Sequence, residues 1–174
     1  MPAFAAMTSQ DVFIGASRLN IAIVQITEPT AELRELIDEL DAVLNAAYEP
    51  HQRHGLAIAQ LFEPHVRFFV ARLDGAAVAC GGIALFDGYA EVKRMYTRPQ
   101  VRGRGVAKTL LRRFEDEARA AGITVLRLET GQFQPEAIGL YRGAGFVSCR
   151  AFGHYAQMLA RDVEVSLFFE KSLY

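Results

Sequence analysis

The clearest hydrophobic pattern in the chain is helical and lies near its middle. From Val106 to Ala121 apolar residues recur every three or four positions, with charged residues between them. Gly122 follows, as expected where such a helix ends. A second amphipathic pattern runs from Thr30 to Tyr48, after Pro29 and with acidic residues near its start. Each pattern predicts a helix that buries one face.

Apolar runs between turn residues predict a sheet around these helices. The predicted strands cover residues 20–27, two segments within 66–86, 90–97, 124–130, 145–152 and 164–173. Asp74-Gly75 predicts the hairpin turn within 66–86, and Pro135 opens a short helix ending near Ala144. A looser helical segment is expected at 55–62. The predicted order is β-α-α-β-β-β-α-β-α-β-β, an α/β (α+β) fold with about seven strands and four helices.

Length and composition indicate one domain. The chain has 174 residues and 51% apolar content, enough for a single well-packed core. We expect residues 1–18 to be a flexible extension and residues 19–174 to form the domain. The N-terminus lacks the pattern of a signal peptide, and no run reaches the roughly 20 apolar residues that span a bilayer. Cys80 and Cys149 lie in strand-like sequence, which predicts buried thiols and a cytoplasmic protein.

A glycine turn joins the predicted strand 90–97 to the central helix. It fails the Walker A pattern, because Arg102 and Ala107 stand where glycines are needed. It also fails the dinucleotide fingerprint, because Lys108 takes the third glycine position after Gly103 and Gly105. A strand, a glycine turn and a helix N-terminus still form an anion site, since unpaired N–H groups point outward there.

The charge distribution supports an anionic ligand. The net charge is only −1, yet residues 93–113 carry many lysines and arginines and no acidic residue. A small polyphosphate at the turn explains both the glycines and the basic side chains. A solvated basic helix face is the alternative. A nucleic-acid partner is disfavoured, because interleaved aromatic residues and an overall basic excess are missing.

Two segments carry a family resemblance. AEVKRMYTRPQVRGRGVAKTLL (90–111) and LETGQFQPEAIGLYRGAGF (128–146), followed by SLFFEKSL, resemble the GNAT superfamily of acetyl-CoA-dependent N-acetyltransferases, and within it a bacterial group of small members. The resemblance covers roughly residues 20–172. It implies the GNAT fold, whose central twisted sheet is mixed and mostly antiparallel. It also implies acetyl-CoA as cosubstrate and a small-molecule amine as acceptor, with no metal, nucleic acid or membrane partner, and it leaves a homodimer open.

The resemblance also implies which residues bind the coenzyme. The turn would cradle the coenzyme A diphosphate through its backbone, and the Met95 N–H would donate to the thioester carbonyl. Arg102 and Arg104 either reach the phosphates or are solvated flanking charges. Gln134 stands where the superfamily commonly has asparagine. The implied cofactor-binding residues are Met95, Thr97, Gln100, Val101, Arg102, Gly103, Arg104, Gly105, Val106, Ala107 and Gln134.

Two residues are the catalytic candidates. Tyr141 matches the family tyrosine that gives a proton to the departing thiolate; the alternative is a core tyrosine. Glu91, on the strand before the turn, is the candidate base that takes the proton of the amine; the alternative is a surface or strand-edge glutamate. Glu129, at the end of the next strand, is a weaker second candidate for the base.

The acceptor region is predicted less sharply. The resemblance implies that the segment after the first helix, with Tyr48, His51, Arg53 and His54, borders the acceptor cleft. Tyr48, His54 and Arg94 are the candidate substrate-binding residues, and Arg94 with Lys93 could hold a carboxylate, which suits an amino acid or another acidic amine. His51 and His54 have no third ligand in view, so no metal site is predicted. A module that senses acyl-CoA without turnover is the alternative function, and loss of Tyr141 or of the glycine turn would have favoured it.

Overall fold

The computed structural model describes the backbone of residues 8–14 and 17–174 and the side chains of residues 20–174. Within these residues a single sheet carries helices on both faces. The elements are β1 (Thr8–Ile14), β2 (Ser17–Ile26), α1 (Ala31–Ala47), β3 (Val66–Leu73), β4 (Ala76–Leu85), β5 (Ala90–Thr97), α2 (Val106–Ala120), β6 (Val125–Gly131), α3 (Pro135–Gly143), β7 (Val147–Ser148), α4 (Ala160–Val163) and β8 (Ser166–Ser172).

The sheet order among the described strands is β1-β2-β3-β4-β5-β6-β8-β7. All neighbours pair antiparallel except β5 and β6, which are parallel. The predicted mixed, mostly antiparallel fold is confirmed. Three details differ: residues 58–62 form a 3₁₀ turn, the strand expected at 145–152 shrinks to β7, and α4 was not foreseen.

The flexible extension predicted for residues 1–18 lies only partly within the described residues. Thr8–Ile14 forms β1 and pairs with β2, where a flexible extension was expected. Residues 1–7, 15 and 16 lie outside the described residues. The domain boundary at residue 19 therefore stays a prediction.

Alternating side chains on β3 divide the core between two faces. Phe68 and Val70 pack in a cluster with the buried face of α1, whereas Phe69 and Ala71 pack in a second cluster with α2. The Thr30 side chain caps α1 by accepting a hydrogen bond from the Leu33 N–H at 3.2 Å. Both amphipathic helices predicted from the sequence thus bury their apolar faces on opposite sides of the sheet.

A bulge and a short parallel pairing open the sheet beside β5. The β4–β5 register shifts between Cys80 and Gly82, and Arg94 on the opposing strand takes a left-handed backbone with φ 55°. β5 then pairs with β6 only over residues 90–92. From residue 93 onward the edge of β5 that faces β6 has no ladder partner among the described strands. This opening positions the functional site.

Two sequence expectations concern the environment of the protein. No helix among the described residues is long and apolar enough to cross a membrane. Cys80 is buried, and burial raises the pKa of its thiol to about 12. Cys149 is half-buried, and both thiols are free. The cytoplasmic location stays a prediction.

Candidate active site

A cleft of about 650 Å³ lies between the open end of β5, the start of α2 and the helix α3. Most of the residues that the resemblance assigns to the coenzyme line it. These are Met95, Thr97, Val101, Arg102, Gly103, Gly105, Val106, Ala107 and Gln134. Gln100 and Arg104 are exposed and are not among the described residues that line the cleft.

The glycine turn presents its backbone to this cleft. Gly103 has φ 76° and Gly105, which caps α2, has φ 84°, conformations that favour glycine. The first N–H bonded within α2 is that of Thr109, which donates to the Gly105 carbonyl at 3.0 Å. The N–H groups of Val106 and Ala107 therefore have no acceptor within the helix. Together with the helix dipole they favour an anion at this end of the cleft.

The sequence had predicted that the backbone N–H groups of the turn bind the diphosphate, but not every one of them is free to do so. The N–H groups of Val101, Arg102 and Arg104 donate to carbonyls within the turn, at 3.1, 3.3 and 3.4 Å respectively. These bonds hold the turn in shape and leave the glycines and the helix start as the donors facing outward. The tightness of the turn could not be seen from the motif alone.

Several basic residues of the 93–113 segment are paired within the protein. Arg98 binds Glu39 on α1 through its Nη2 at 2.7 Å and also donates to the Ala77 carbonyl. Arg102 forms an ion pair with Glu136 on α3, across the cleft, and donates through Nε to the Thr97 carbonyl at 3.0 Å. The positive field expected from the sequence is therefore reduced, because acids distant in sequence fold against the arginines.

Tyr141 is buried on α3 and lines both this cleft and a second cavity. Its hydroxyl lies 3.7 Å from the Met95 sulfur. Burial, with the nearby charge of Glu129 as a second cause, raises the pKa of the phenol. The hydroxyl therefore keeps its proton at neutral pH, as a proton donor must.

The second cavity, of about 120 Å³, shares Leu40, Met95, Gln134, Ala137 and Tyr141 with the cleft. We call it the acceptor cavity. The three predicted substrate-binding residues all line it, and so do several polar residues from four parts of the chain. Its polar lining comprises Tyr48, Gln52, Arg53, His54, Lys93, Arg94, Glu129, Thr130, Gln134 and Tyr141.

Tyr48 and His54 are each held by backbone groups distant in sequence. The Tyr48 hydroxyl accepts a hydrogen bond from the Phe133 N–H at 3.0 Å, and burial raises the pKa of this tyrosine. A side chain on Gly131 would overlap the Tyr48 ring, so glycine is required for this close approach. His54 places Nε2 2.9 Å from the Asp162 carbonyl, which requires that this nitrogen carry a proton.

Glu91 is enclosed beneath the acceptor cavity and is not among its lining residues. Its side chain is 2% exposed, and its Oε1 accepts hydrogen bonds from Lys93 Nζ at 3.0 Å and from the Tyr155 hydroxyl at 2.6 Å. Burial, with the charge of Glu91 as the next cause, strongly raises the pKa of Tyr155. These contacts give Glu91 a structural role, and its assignment as the base stays a prediction.

Glu129 does line the acceptor cavity. The Ser166 hydroxyl donates to its Oε1 at 2.6 Å, while burial raises the pKa of the carboxyl above its usual range. Its charge is close enough to Tyr141 to raise the pKa of that phenol. A carboxylate with a raised pKa, beside the proposed proton donor, has the properties of a general base.

Sequence reasoning missed some residues of the site. Ser166 and Tyr155 were not singled out, Arg53 was noted only for its position after the first helix, and Glu129 was ranked below Glu91. The alternation of β5 places Glu91 and Lys93 on one face, but only the segment 153–157 shows that this face is covered. No local signal identifies these residues. Among the described residues no group of three or more His, Cys, Asp or Glu is placed to hold a metal ion.

The sequence and the fold are both similar to those of known acetyltransferases. The model of the Acetyltransferase (GNAT) family matches residues 31–146. A protein of Azospirillum brasilense named IAA acetyltransferase is 42% identical over 156 residues, which is 88% of this chain and 99% of that protein. A solved structure of a candidate acyl-CoA N-acyltransferase from Klebsiella pneumoniae is 35% identical with a TM-score of 0.71, covering 88% of this chain and 98% of that one. A GNAT structure from Elizabethkingia anophelis with acetyl-CoA bound shares the fold at 14% identity, with a TM-score of 0.63, 87% of this chain and 97% of that chain being covered. The chain belongs to the GNAT family of acetyltransferases.

Proposed function

We propose that this protein transfers the acetyl group of acetyl-CoA to the primary amine of a small molecule, by direct attack within a ternary complex. The observation that carries the proposal is the junction of the two cavities. Tyr141 and Met95 line both, so a donor in the cleft and an amine in the acceptor cavity would meet at the same hydroxyl. Holding both reactants at one point supplies much of the rate enhancement in such reactions.

The cleft fits acetyl-CoA by the chemistry of its walls. The N–H groups of Gly103, Gly105, Val106 and Ala107 suit a diphosphate, and Lys108 lines the same end. From residue 93 onward, the edge of β5 that faces β6 has no ladder partner among the described strands, so its backbone groups can serve the amide-containing arm. The Met95 N–H would donate to the thioester oxygen. Acetyl-CoA supplies the thioester that the amine attacks.

Tyr141 would act as the general acid. A thiolate leaving group gains a proton readily because a free thiol has a pKa of about 8.5. The Tyr141 phenol is protonated at neutral pH, and its hydroxyl contacts only the Met95 sulfur among the hydrogen-bond partners described. Its proton is therefore available to a sulfur that enters from the cleft.

Glu129 is the better placed of the two carboxylates for the base. An amine arrives mostly as ammonium and must lose a proton before it attacks. Glu129 lines the acceptor cavity and has one described hydrogen bond, from Ser166, so its carboxylate can accept others. Glu91 is already bonded to Lys93 and Tyr155 and lies behind that lysine.

A compact acceptor is favoured by the volume of the acceptor cavity, about 120 Å³. The similar protein from Azospirillum brasilense is named for acetylation of IAA, which supports acetyl transfer without fixing the acceptor of this chain. A module that binds acyl-CoA without turnover would not need a tyrosine hydroxyl and a carboxylate facing one cavity.

The test is an assay of thiol release from acetyl-CoA with a panel of amino acids, polyamines, aminoglycosides and peptides, run alongside a calorimetric titration with coenzyme A. The proposal predicts amine-dependent thiol release together with an N-acetylated product detected by mass spectrometry. Coenzyme A binding with no amine-dependent release across the panel would contradict it and favour the sensing module.

A further inference from the structure

We infer that the acceptor carries a carboxylate and that the Arg53 guanidinium binds it, so that the substrate class is amino acids and similarly compact amino-carboxylates. The inference rests on the proposed function and narrows its acceptor. The sequence suggested Arg94 and Lys93 for the carboxylate and noted Arg53 only as one of the residues that follow the first helix; here Arg53 takes the main role.

The two cations first expected to bind a carboxylate are occupied. Lys93 Nζ donates to Glu91 at 3.0 Å, to the Tyr155 hydroxyl at 2.8 Å and to the His54 carbonyl at 3.2 Å. These contacts use all three protons of the ammonium group. Arg94 Nη1 forms an ion pair with Asp41 Oδ1 at 2.7 Å. Both charges are therefore balanced by carboxylates of the protein.

Arg53 differs from both. Its Nε is buried and has no hydrogen-bond partner among the described residues, and no described carboxylate forms an ion pair with it. A buried guanidinium donor without an acceptor is unfavourable in the free protein, so its persistence calls for an explanation. Because Arg53 lines the acceptor cavity without a described carboxylate partner, an anion bound in the cavity would balance the charge of its guanidinium group.

A second orphan donor lies in the same wall. Arg94 Nε is also buried without a partner among the described residues, although its Nη1 is paired. Arg94 packs against the neighbouring segment, since a Cβ on Gly55 would come 2.5 Å from its Nη1. A carboxylate has two oxygens and can accept from more than one guanidinium N–H, whereas an ammonium group has no lone pair with which to accept one.

The remaining charge of the cavity suits the amine end of such a substrate. Glu129 is the carboxylate among the described lining residues, and it comes from β6, whereas Arg53 follows the 3₁₀ turn Pro50–Gln52. A substrate with an ammonium group for Glu129 and a carboxylate for Arg53 complements both. The volume of about 120 Å³ restricts it to a few heavy atoms between these groups.

The experiment compares the twenty L-amino acids with their α-carboxamides as acceptors for the wild-type enzyme and for Arg53→Gln. The wild type is expected to favour the acid over the matching amide. Arg53→Gln should lower kcat/KM for the acid by roughly 10- to 150-fold, mainly through KM, and leave the amide nearly unchanged. Arg150→Gln, an exposed arginine beyond β7, is the matched control and should change neither substrate.

Each outcome decides one question. Amides or polyamines that react as well as the acids with the wild type would overturn the inference while leaving acetyl transfer intact, and this result does not depend on any variant. Equal losses for acid and amide in Arg53→Gln would also overturn it. Coenzyme A binding without turnover on any amine would instead contradict the proposed function.

Discussion

Glu91→Gln tests whether the buried network beneath the acceptor cavity is structural. The substitution keeps the shape of the side chain but leaves the Lys93 ammonium without its counter-charge. The two side chains are 2% and 7% exposed and their charged atoms are 3.0 Å apart, so water can do little to replace the lost carboxylate. Removing one partner of such a buried pair costs about 3–5 kcal/mol. For a chain of this size, that predicts a fall in Tm of roughly 6–20 °C.

A double-mutant cycle tests whether the loss of stability in Glu91→Gln comes from the unpaired charge of Lys93. Lys93→Met removes the second charge, so Glu91→Gln combined with Lys93→Met should recover much of the stability, with a coupling of about 2 kcal/mol. The measurement is the free energy of unfolding from urea titrations. Glu170→Gln is the matched control, because its partner Arg127 lies 3.3 Å away in a partly exposed pair and should contribute about 1 kcal/mol or less.

The pH–rate profile of Glu91→Gln tests which of the two carboxylates, Glu91 or Glu129, is the catalytic base. If Glu91 is structural, the folded variant keeps the acidic limb of its pH–rate profile. The reasoning would be refuted if Glu91→Gln unfolds at the same urea concentration as the wild type. It would also be refuted if the variant is stable but loses that acidic limb, because Glu91 would then be the catalytic base.

The remaining predictions concern the proton donor, the turn and Glu129. Tyr141→Phe should lower kcat by about 100- to 10,000-fold with unchanged coenzyme A affinity by calorimetry; unchanged kcat would remove the acid role. Gly105→Ala strains a backbone with φ 84° and should weaken coenzyme A binding about tenfold, whereas Gly75→Ala, at φ 88° in the β3–β4 turn, should leave the affinity unchanged; equal affinities for both variants would contradict the role of the turn. Burial raises the pKa of Glu129 in the folded protein above the ordinary glutamate value of 4.5. The free energy of unfolding should therefore fall as pH rises from 4.5 through the folded pKa, because the carboxyl ionises more easily in the unfolded chain. Glu129→Gln should therefore gain stability over the wild type at pH 8 relative to pH 4 in urea titrations and lose the acidic limb of kcat/KM; a pH-independent stability difference would contradict the raised pKa.

The coenzyme side of the site was predictable because its signals are local. The glycine turn, the strand before it and the α2 pattern lie within 90–121, and one turn of helix fixes where the N–H groups point. The position of Tyr141 was predictable because α3 begins at Pro135 and places its buried face on the sheet. Here a short stretch of sequence determines the local structure, and the family resemblance suggests the role.

The acceptor side was less predictable because its contacts join distant segments. Glu91 meets Tyr155 64 positions later, and His54 meets Asp162 108 positions later. Whether a glutamate on a strand faces a cavity or a covering loop depends on the path of residues 153–163, which carry no strong periodic pattern. Glu91 was named first as the base because of its strand position and the family resemblance. The packed structure adds that Glu129 lines the acceptor cavity, whereas Glu91 is bonded to Lys93 and Tyr155.

The most direct test of the central claim is the initial-rate pattern with both substrates varied. Once the panel assay identifies a reactive amine, thiol release is measured at several fixed amine concentrations across a range of acetyl-CoA concentrations. Direct transfer in a ternary complex at the junction near Tyr141 predicts double-reciprocal lines that intersect. Parallel lines, the pattern of a covalent acetyl-enzyme, would contradict direct attack and the role assigned to the adjoining cavities.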